Sequence, residues 1–424
     1  MMNPMPRRRF LRATGASMAA LSTFSLWSAE NPPNRRLRVA VMGLGRGLDH
    51  VRALLELPGV EIAWLCDVDT RRTDRAAETV AKQTNYRPQG QKDIRKVLED
   101  KTTDALFIAA PNFWHTPATV LACAAGKHVY VEKPGSGTAQ ESQMIVAAAR
   151  KYGRLVQMGN QRRSFPGIIE GMNRLREGVI GRVITARCWY TNSRGSIGRG
   201  QPAAVPEWLD YSLWQGPVPE RPYKDNLVHY NWHWMWHWGN GELGNNGVHY
   251  LDLARWGLGV DAPRQVACTG GRYHFNDDQE TPDTGVVTYD FGHCYATWEW
   301  SSCHPRPTEK YGLVHFYGEK GSLIFEGAGY RILDMKGVEV AKGSGPAGDK
   351  VHIGNFLDAI RGDAKLTSEI AEAQKSALLC HLGNIAWRVG RTLRYDAAQE
   401  RIVDDAQAMK LWQREYRPGW APKV

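Results

Sequence analysis

The chain has 424 residues, of which 42% are hydrophobic and 23% are charged. This composition is typical of a globular protein and indicates neither disorder nor a membrane-spanning architecture, while the length allows two domains with substantial cores. The net charge of +10 includes no long Lys/Arg block beyond the N-terminus and no aromatic-basic interleaving. Nucleic acid is therefore not expected as a partner.

The first 29 residues have the pattern of an export signal. Arginines at 7, 8, 9 and 12 flank Phe10-Leu11 and precede a weakly apolar run from Ala13 to Ala29. This order is typical of bacterial twin-arginine signals and predicts a periplasmic or otherwise exported protein, with a basic amphipathic arm as the alternative. The segment carries four of the ten surplus positive charges and no acid, so its removal would leave +6.

The seven cysteines are scattered and form no CxxC motif. Most fall within apolar strand or helix patterns, which predicts buried thiols; one disulfide remains compatible with the sequence, but a zinc site built on cysteine does not.

The first strong element is a short buried strand followed by a glycine-rich turn. Leu37–Met42 leads directly into Gly43–Gly47 and then into a helical pattern. Glycines at such a turn let the backbone approach a pyrophosphate, whose charge is stabilised at the helix N-terminus. The spacing departs from GxGxxG because Leu48 stands where the third glycine is expected. The candidate cofactor residues of the turn are Gly43, Leu44, Gly45, Arg46 and Gly47.

A carboxylate after the next strand indicates which dinucleotide would bind. Asp67 follows the apolar run Val60–Cys66; there it would accept hydrogen bonds from ribose hydroxyls and repel a 2′-phosphate. Arg71 and Arg72 lie close by and are compatible with a phosphate, and a helix N-cap is the structural alternative for Asp67. We therefore expect NAD, with NADP less favoured.

Strand and helix patterns continue to alternate up to residue 160, which predicts a parallel sheet with right-handed crossovers. Ligands bind at the carboxyl ends of such strands, so the polar residues that follow the strands become candidate cofactor contacts. The expected elements are helices at 70–82 and 91–100, a strand at 104–110, a helix to Gly126, a strand at 128–131, a helix at 138–152 and a strand at 154–158. The candidate contacts are Pro111, Asn112, Trp114, His115, Glu132, Lys133, Asn160 and Gln161.

Beyond residue 160 the pattern changes to one of successive strands with tight turns, which predicts an open, mostly antiparallel sheet. The fold class expected is therefore α/β: a Rossmann domain at 35–160 after a signal and linker at 1–34, an α+β domain at 161–395 and a tail at 396–424. The expected elements are helices at 166–178, 246–256, 351–362 and 369–390, and strands at 183–190, 263–274, 284–291, 293–302, 311–317, 321–325 and 330–334; 191–228 reads as irregular.

The segment from His229 to Trp256 holds five of the sixteen tryptophans and four of the thirteen histidines. Indole faces stack on the C–H faces of sugar rings, and Asn, His, Glu and Asp supply groups that bind hydroxyls, so this composition favours a carbohydrate-sized pocket. A buried aromatic cluster beside a loop is the alternative. The candidate sugar contacts are Tyr190, Arg194, Tyr230, Trp232, Trp234, Asn245 and His249.

Taken together, these motifs carry a family resemblance. The glycine turn, Asp67, the segments AAPNFWH (109–115) and VYVEKP (129–134) and the C-terminal sheet resemble the glucose-fructose oxidoreductase/inositol dehydrogenase/MocA superfamily, over residues 36–395. The segment 229–256 resembles an exported bacterial branch near the NAD-dependent glycosidases. The resemblance implies that the open sheet mediates a dimer or tetramer.

The same resemblance assigns roles to individual residues. It implies that Lys133 reaches the nicotinamide ribose and the reacting hydroxyl, that Pro134 follows a cis bond, and that His249 is catalytic. The pattern Leu-x-Asp-x-Gly-x-His-x-x-Asp has Asn245 in place of the first aspartate, so acid/base work is expected to shift to His249 and Lys133. Asp252 lies one helical turn beyond His249 and either orients its imidazole or forms a structural hydrogen bond.

The resemblance implies hydride transfer from a sugar ring carbon, C3 being expected, to NAD. Because an exported compartment offers little free NAD, the cofactor is expected to be tightly bound and recycled in each turnover. The alternative is a glycosidase that oxidises C3, eliminates the aglycone, adds water and reduces the ketone. Exchange between two sugars, net dehydrogenation with an external acceptor and a non-catalytic sugar-binding protein are further readings. His233 and His237 have HxxxH spacing near Glu242, but the implied reaction needs no metal and none is expected.

Overall fold

A computed structural model describes residues 36–309 and 312–424. The predicted export signal and the linker after it lie outside these residues. In the described ranges no helix combines the length and the apolar character that a membrane crossing would need.

The N-terminal part of the described chain forms a six-stranded, all-parallel sheet in the order β3-β2-β1-β4-β5-β6. Helices connect its strands, which confirms the predicted Rossmann-type α/β architecture. The elements are β1 Leu37–Met42, α1 Gly47–Leu55, β2 Val60–Cys66, α2 Thr70–Ala81, β3 Gln89–Gln91, α3 Ile94–Val97, β4 Ala105–Ile108, α4 Asn112–Ala124, β5 His128–Val131, α5 Ala139–Lys151 and β6 Val156–Met158.

One stretch of this domain differs from the prediction. The helix expected at 91–100 is a three-residue edge strand, β3, followed by the four-residue helix α3. Asp93 caps α3 because its carboxylate accepts a hydrogen bond from the Arg95 amide at 2.9 Å. A cap at residue 93 fixes the helix start there, so Gln91 is left to pair with β2.

The second part of the described chain forms a larger mixed sheet of eleven strands. Its order is β15-β14-β13-β12-β7-β10-β9-β8-β16-β17, with β11 paired to β7; the β7–β10 pair is parallel and the other pairs are antiparallel. The predicted open, mostly antiparallel sheet is confirmed, but β11, β15, β16 and β17 were not anticipated. The strands are β7 Val183–Ser193, β8 Gln265–Gly271, β9 Thr284–Asp290, β10 Tyr295–Ser301, β11 Cys303–His304, β12 Val314–Gly318, β13 Gly321–Glu326, β14 Gly329–Asp334, β15 Glu339–Ser344, β16 Leu393–Asp396 and β17 Arg401–Ile402.

Helices cover one face of this sheet and carry site residues to its edge. The helices after β6 are α6 Pro166–Arg176, α7 Tyr211–Gln215, α8 Val248–Leu258, α9 Asp349–Arg361, α10 Ile370–Val389 and α11 Ala406–Lys410. α8 packs on β7, β10 and β12, and α10 packs on α8 and β8. Beneath them Trp298 and Trp300 stack at 4.7 Å, and both are at least 98% buried. This aromatic core fixes the position of α8.

Two further details bear on the site. A π-helical turn, Leu243–Gly247, precedes α8, so the helix predicted from residue 246 begins at Val248. α9, although far along the sequence, packs through Phe356 against Phe107 and Tyr130 of the N-terminal sheet, with ring centroids 5.6 and 5.9 Å apart. The chain thus returns to the Rossmann core. All seven cysteines are described and free, and five are buried, as predicted.

Candidate active site

A cavity of about 720 Å³ lies between the carboxyl ends of the parallel strands and the aromatic segment that precedes α8. This size falls in the range of small-molecule and cofactor sites. The N-terminal strands supply Gly43, Gly45, Arg46, Asp67, Arg72, Pro111, Asn112, Trp114, His115, Glu132 and Lys133, among others, and the C-terminal part supplies Tyr230, Trp232, His233, Asn245, His249 and Asp349.

The glycine turn has the close-packed geometry expected of a phosphate cradle. Gly43 has φ +83°, and a Cβ there would lie 2.5 Å from the backbone nitrogen of Ala110. The backbone of β1 thus touches that of β4 at the point where the cavity opens. α1 begins at Gly47, and no side chain among the described residues caps it. The first three amides of the helix donate to backbone oxygens of the turn, but those of Gly45 and Arg46 have no acceptor among the described residues. These two amides are therefore suited to an anionic ligand.

Substituting Gly43 by alanine is expected to destabilise the fold and remove bound dinucleotide, because the methyl group meets backbone rather than a movable side chain. The expected destabilisation is about 1–3 kcal/mol from backbone strain, with the clash in addition. Gly126→Ala is the matched control: Gly126 has φ +82°, but its Cβ would meet nothing within 4 Å. Urea unfolding and the nicotinamide content of the purified protein check the effect; equal behaviour of both variants would contradict it.

Asp67 occupies the position expected for ribose recognition. Its Oδ2 accepts from the Leu44 amide at 2.6 Å and its Oδ1 from the Asp69 amide at 2.9 Å. Each oxygen keeps a lone pair for a ribose hydroxyl. Burial raises the pKa of Asp67, and the two amide hydrogen bonds oppose that rise.

Of the two nearby arginines, only Arg72 faces the cavity. Arg71 pairs with Asp69 at 2.8 Å and stacks on Trp208, its guanidinium carbon 3.5 Å from the ring centroid. Arg72 lies over the glycine turn, its Nη1 2.7 Å from where a Gly45 Cβ would be. Of the two arginines that the sequence offered for phosphate recognition, Arg72 is therefore the one that lies at the glycine turn, beside Asp67.

Glu132 is used within the protein to position its neighbours. Its Oε1 accepts from His50 at 2.9 Å and from Arg46 at 3.1 Å, and its Oε2 accepts from the Lys133 amide at 3.2 Å. Burial opposes ionisation, but the His50 hydrogen bond and the Arg46 charge hold the pKa of Glu132 well below its usual range. The carboxylate therefore fixes the backbone on which Lys133 stands.

Lys133 reaches across the cavity to the second part of the chain. The Lys133–Pro134 bond is cis, as the resemblance implies. Lys133 Nζ donates to the Asn245 backbone oxygen at 2.5 Å and to its Oδ1 at 3.1 Å. Burial, opposed by the Glu132 charge, lowers the pKa of Lys133. Asn245, which replaces the aspartate of the family pattern, thus binds the amine through neutral oxygens and leaves it easier to deprotonate.

His249 approaches the same cavity from the first turn of α8. Its ring makes no hydrogen bond to the described residues. Burial and the nearby charges of Lys133 and Arg162 lower the pKa of His249 well below its usual value. A neutral imidazole without a protein partner is available to accept a proton from a ligand.

The structure decides between the two readings of Asp252 in favour of the structural one. Asp252 accepts from Arg163 at 2.7 and 2.9 Å and from Ser376 at 2.7 Å, and does not contact the His249 imidazole through a hydrogen bond. One helical turn places the two side chains on the same side of α8, but the buried guanidinium of Arg163 binds the carboxylate first.

Asp252→Asn is expected to lower the free energy of unfolding by about 3 kcal/mol, because it leaves the buried Arg163 charge with only its 3.7 Å contact to the more exposed Glu372. Burial would raise the pKa of Asp252, but Arg163 lowers it. This contribution is therefore present above the unfolded-state pKa of an aspartate and is lost as pH falls through the lowered folded-state value. Urea unfolding as a function of pH measures it; wild-type stability in the variant would contradict the assignment.

The aromatic segment meets the cavity through only some of the predicted sugar contacts. Tyr230, Trp232, Asn245 and His249 line it, but Tyr190, Arg194 and Trp234 do not. Arg194 instead donates to Glu242 at 2.8 Å, Tyr230 at 2.9 Å and Tyr190 at 2.9 Å. The guanidinium lies 5.0 Å from the centroid of buried Trp234. These residues therefore support the cavity wall from behind.

His233 and His237 do not form a pair. His233 lies in a 3₁₀ turn, Asn231–Trp234, and His237 follows after that turn has ended. His233 donates to the backbone oxygen of Tyr230 at 2.6 Å, whereas His237 donates to the backbone oxygen of Pro219 at 2.8 Å and lines a different cavity. Within residues 36–309 and 312–424, no cluster of three or more His, Cys, Asp or Glu side chains is arranged to hold a metal ion.

Three of the predicted cofactor residues do not line the cavity beside the glycine turn but lie behind the residues that do. Leu44 and Gly47 are buried in the turn, and a Gly47 Cβ would contact Val41 at 3.0 Å. Asn160 is 2% exposed, and neither atom of its amide has a partner among the described residues. Gln161 does line the cavity and donates to Asp349 at 3.2 Å.

Some cavity residues were not anticipated. Asp349, the first residue of α9, accepts from Arg46 at 2.6 Å, and His229 donates to Asp69 at 3.0 Å. Asp349 lies some 300 residues from the glycine turn, and no local motif marks it. For His229, the clustering of aromatic residues after it was the available sequence signal.

A parallel sheet with a glycine turn, a carboxylate after its second strand and a ligand-sized cavity at its carboxyl edge defines a dinucleotide-binding protein. Comparison with known families agrees. Residues 37–160 match the model described as "Oxidoreductase family, NAD-binding Rossmann fold", and residues 184–422 match "Oxidoreductase family, C-terminal alpha/beta domain". The chain belongs to the Gfo/Idh/MocA oxidoreductase family, and its cofactor is NAD.

Individual relatives are more distant. The chain is 28% identical over 214 residues to glycosyl hydrolase family 109 protein 1 of Shewanella sp. (strain ANA-3) and to the alpha-N-acetylgalactosaminidase of Shewanella oneidensis; each match covers 45% of this chain and 46% of the relative. The match thus spans about half the length of these curated relatives.

Solved structures share the fold at low identity. The WlbA dehydrogenase from Bordetella pertussis, in complex with NADH and UDP-GlcNAcA, is 18% identical with a TM-score of 0.66, covering 85% of this chain and 99% of that one. The aldose-aldose oxidoreductase from Caulobacter crescentus, complexed with glycerol, is 19% identical with a TM-score of 0.66, covering 85% and 100%.

Proposed function

We propose that this protein is an NAD-dependent enzyme that exchanges a hydride at a ring carbon, C3, of a sugar or glycoside, with tightly bound NAD recycled in each turnover. The observation that carries the proposal is the convergence of Lys133 and His249, from the two parts of the chain, on the cavity that the glycine turn and Asp67 also line. The residues fit a dinucleotide: Gly43 permits a close backbone approach, the turn before α1 presents the unbonded amides of Gly45 and Arg46, and Asp67 keeps acceptor capacity.

When bound, NAD supplies the acceptor and donor of the hydride. The protein's own residues handle the proton. Burial lowers the pKa of Lys133, and burial together with nearby positive charge lowers that of His249. Both shifts favour the neutral form, which is the form that accepts the hydroxyl proton as the carbonyl forms. Asn245 keeps the amine directed across the cavity through two hydrogen bonds. Returning the same proton restores the hydroxyl at the end of a redox-neutral cycle.

A glycosidase is the second candidate, because the curated relatives cited above bear glycosidase names. In that cycle the transient C3 ketone acidifies the C2–H, the aglycone leaves by elimination, water adds, and the ketone is reduced. The cycle consumes no net oxidant. Its oxidation and reduction steps require the same proton transfers by Lys133 and His249. Tyr230 and Trp232 provide the aromatic wall against which a ring would stack.

One experiment separates the candidates. The purified protein, without added NAD, is incubated with a panel of nitrophenyl glycosides that includes the N-acetyl-α-galactosaminide. Nitrophenol release selects the glycosidase, and a sugar-dependent rise in reduced-nicotinamide absorbance without release selects the oxidoreductase. Neither signal, from protein that carries NAD, would contradict both and favour a non-catalytic sugar-binding protein.

We also propose that the chain is exported through the twin-arginine pathway and assembles through the open sheet. The basic and apolar pattern of residues 7–29 supports the first, and the side chains that the sheet leaves partly exposed on its uncovered face, among them Tyr295 at 45%, support the second. Replacing Arg7, Arg8 and Arg9 by lysine is expected to retain the protein in the cytoplasm. Fractionation measures this, and unchanged export would contradict it.

A further inference from the structure

A second cavity, of about 370 Å³, lies on the other side of the aromatic segment. Trp232 and His233 face the cofactor cavity, but Trp236, His237 and Trp238 line this one. The remaining walls come from the N-terminus of α5 and the residues before it, from residues 219–221, from α10 and from residues 411 and 413–415 of the tail. None of the chemistry described above uses these groups.

The floor of the cavity is polar and buried. Asn240, His381 and Asn384 are at most 8% exposed. Asn384 donates to the Asn240 oxygen at 2.8 Å, and its Oδ1 accepts no hydrogen bond from the described residues. His381 shares a hydrogen bond with Ser136 through Nε2 at 2.9 Å, and its Nδ1 has no such partner. Both atoms therefore have hydrogen-bonding capacity left for ligand hydroxyls.

The rim is cationic and aromatic. The Arg388 guanidinium lies 5.0 Å from the Trp236 ring centroid, and that of Arg221 lies 5.7 Å from the Trp238 ring centroid. Neither guanidinium has a hydrogen bond or ion pair among the described residues. Arg414 also lines the cavity and donates to the His237 oxygen at 2.9 Å. Of the two glutamates present, Glu220 pairs with Arg417 at 2.9 Å. Glu280, which accepts from the Trp236 amide at 2.6 Å, places a negative charge near Arg388 without forming an ion pair with it. Both guanidiniums therefore keep their donors for an anion.

Trp236 is partly exposed, although its ring also contacts Trp387 at 5.7 Å between centroids. Unpaired guanidiniums, this partly exposed indole and uncharged hydrogen-bonding atoms together match one class of ligand. A carboxylate or phosphate satisfies the arginines bidentately, a sugar ring stacks on an indole, and hydroxyls bind amide and imidazole atoms. We propose that this cavity is a second binding site, separate from the cofactor cavity, for a sugar unit that carries an anionic group.

The two cavities share a wall. Asn112 of the cofactor cavity donates to Asn240 Oδ1 at 3.0 Å, and Asn240 in turn donates to the Gly137 oxygen at 2.8 Å. A ligand on Asn384 and His381 therefore rests against the residues that hold this wall, without touching Lys133 or His249.

Calorimetric titration of the full-length protein with its bound cofactor tests the proposal, using D-glucuronate, D-glucose 6-phosphate, D-glucose and inorganic phosphate. Glucuronate, glucose 6-phosphate or both are expected to bind saturably and more tightly than glucose or phosphate; which of the two binds identifies the anionic group. Arg388→Gln is expected to weaken that binding about tenfold or more, because a charge-assisted hydrogen bond is lost.

Arg187→Gln is the matched control, since Arg187 also stacks on a tryptophan, Trp189, at 4.8 Å but lies on β7 away from the cavity. Asn384→Ala should also weaken binding, whereas Lys133→Ala should leave it unchanged. The bound nicotinamide content reports that each variant is folded. Absence of saturable binding, equal affinity for glucose or phosphate alone, equal effects of the two arginine variants, or loss of binding in Lys133→Ala would each overturn the proposal.

Discussion

Lys133→Ala is expected to lower kcat/KM by about 10²–10⁴-fold, because it removes the group that exchanges a proton with the reacting hydroxyl. Lys133 lies at the cavity and is held by both oxygens of Asn245. Steady-state kinetics on the active substrate from the glycoside panel measure the loss. The variant should keep its NAD, since the glycine turn and Asp67 are untouched.

Lys127→Met is the matched control for this variant. Lys127 is also a buried lysine of the N-terminal domain that binds backbone oxygens, those of Asp100 and Thr103 at 2.7 Å, but it is remote from the cavity lining. Lys127→Met should lower the free energy of unfolding, because two backbone oxygens lose their donor, and should leave kcat/KM per folded molecule within a few-fold of wild type. Activity in Lys133→Ala close to that of the control would show that the lysine is not catalytic.

The same lysine sets an expected pH dependence. A base must be deprotonated to accept the hydroxyl proton, so kcat/KM should fall as pH drops through the pKa of Lys133, which burial, opposed by the Glu132 charge, places below that of an ordinary lysine. Glu132→Gln removes the neighbouring negative charge, lowers the pKa of Lys133 further and should move the acidic limb of the kcat/KM profile to lower pH. If the acidic limb of the profile is the same in Glu132→Gln and wild type, the titrating group is not Lys133.

His249→Ala is the second large expected effect, a fall in kcat of about 10²–10⁴-fold. The imidazole makes no hydrogen bond to the described residues and stands in the cavity, so its removal should change the unfolding midpoint little. His237→Ala is the control: His237 lies in the same aromatic segment but lines the second cavity, and the variant loses its bond to Pro219 and its edge contact with Trp238. A variant at 249 that is inactive because it unfolds would contradict this reading, as would one that retains full activity.

The strand ends of the N-terminal domain could be predicted because their signals are local. The run Leu37–Met42, the turn after it and Asp67 each lie within a short window whose periodicity and glycine content have few structural solutions. Strand bounds therefore agree closely for β1, β2 and β5. The positions of Lys133 and His249 came from the family resemblance rather than from such windows.

What the sequence did not predict depends on tertiary contacts. Asp252 is one turn from His249, and only the folded chain brings Arg163 to it at 2.7 Å. The roles of Asp349 and His50 depend likewise on long-range packing. The aromatic segment was predicted as one sugar-binding feature, but Trp232 and Trp236 line different cavities, because a 3₁₀ turn ends at residue 234 between them.

The central claim is that a hydride leaves and returns to a sugar ring carbon beside Lys133 and His249. The most direct test is a rapid-mixing measurement of reduced-nicotinamide absorbance in the untreated protein with its substrate deuterated at C3. The account predicts a transient rise that is several-fold slower with deuterium at C3 than with hydrogen, and that is absent in Lys133→Ala. Turnover with no such transient, or with no isotope effect from C3, would contradict it.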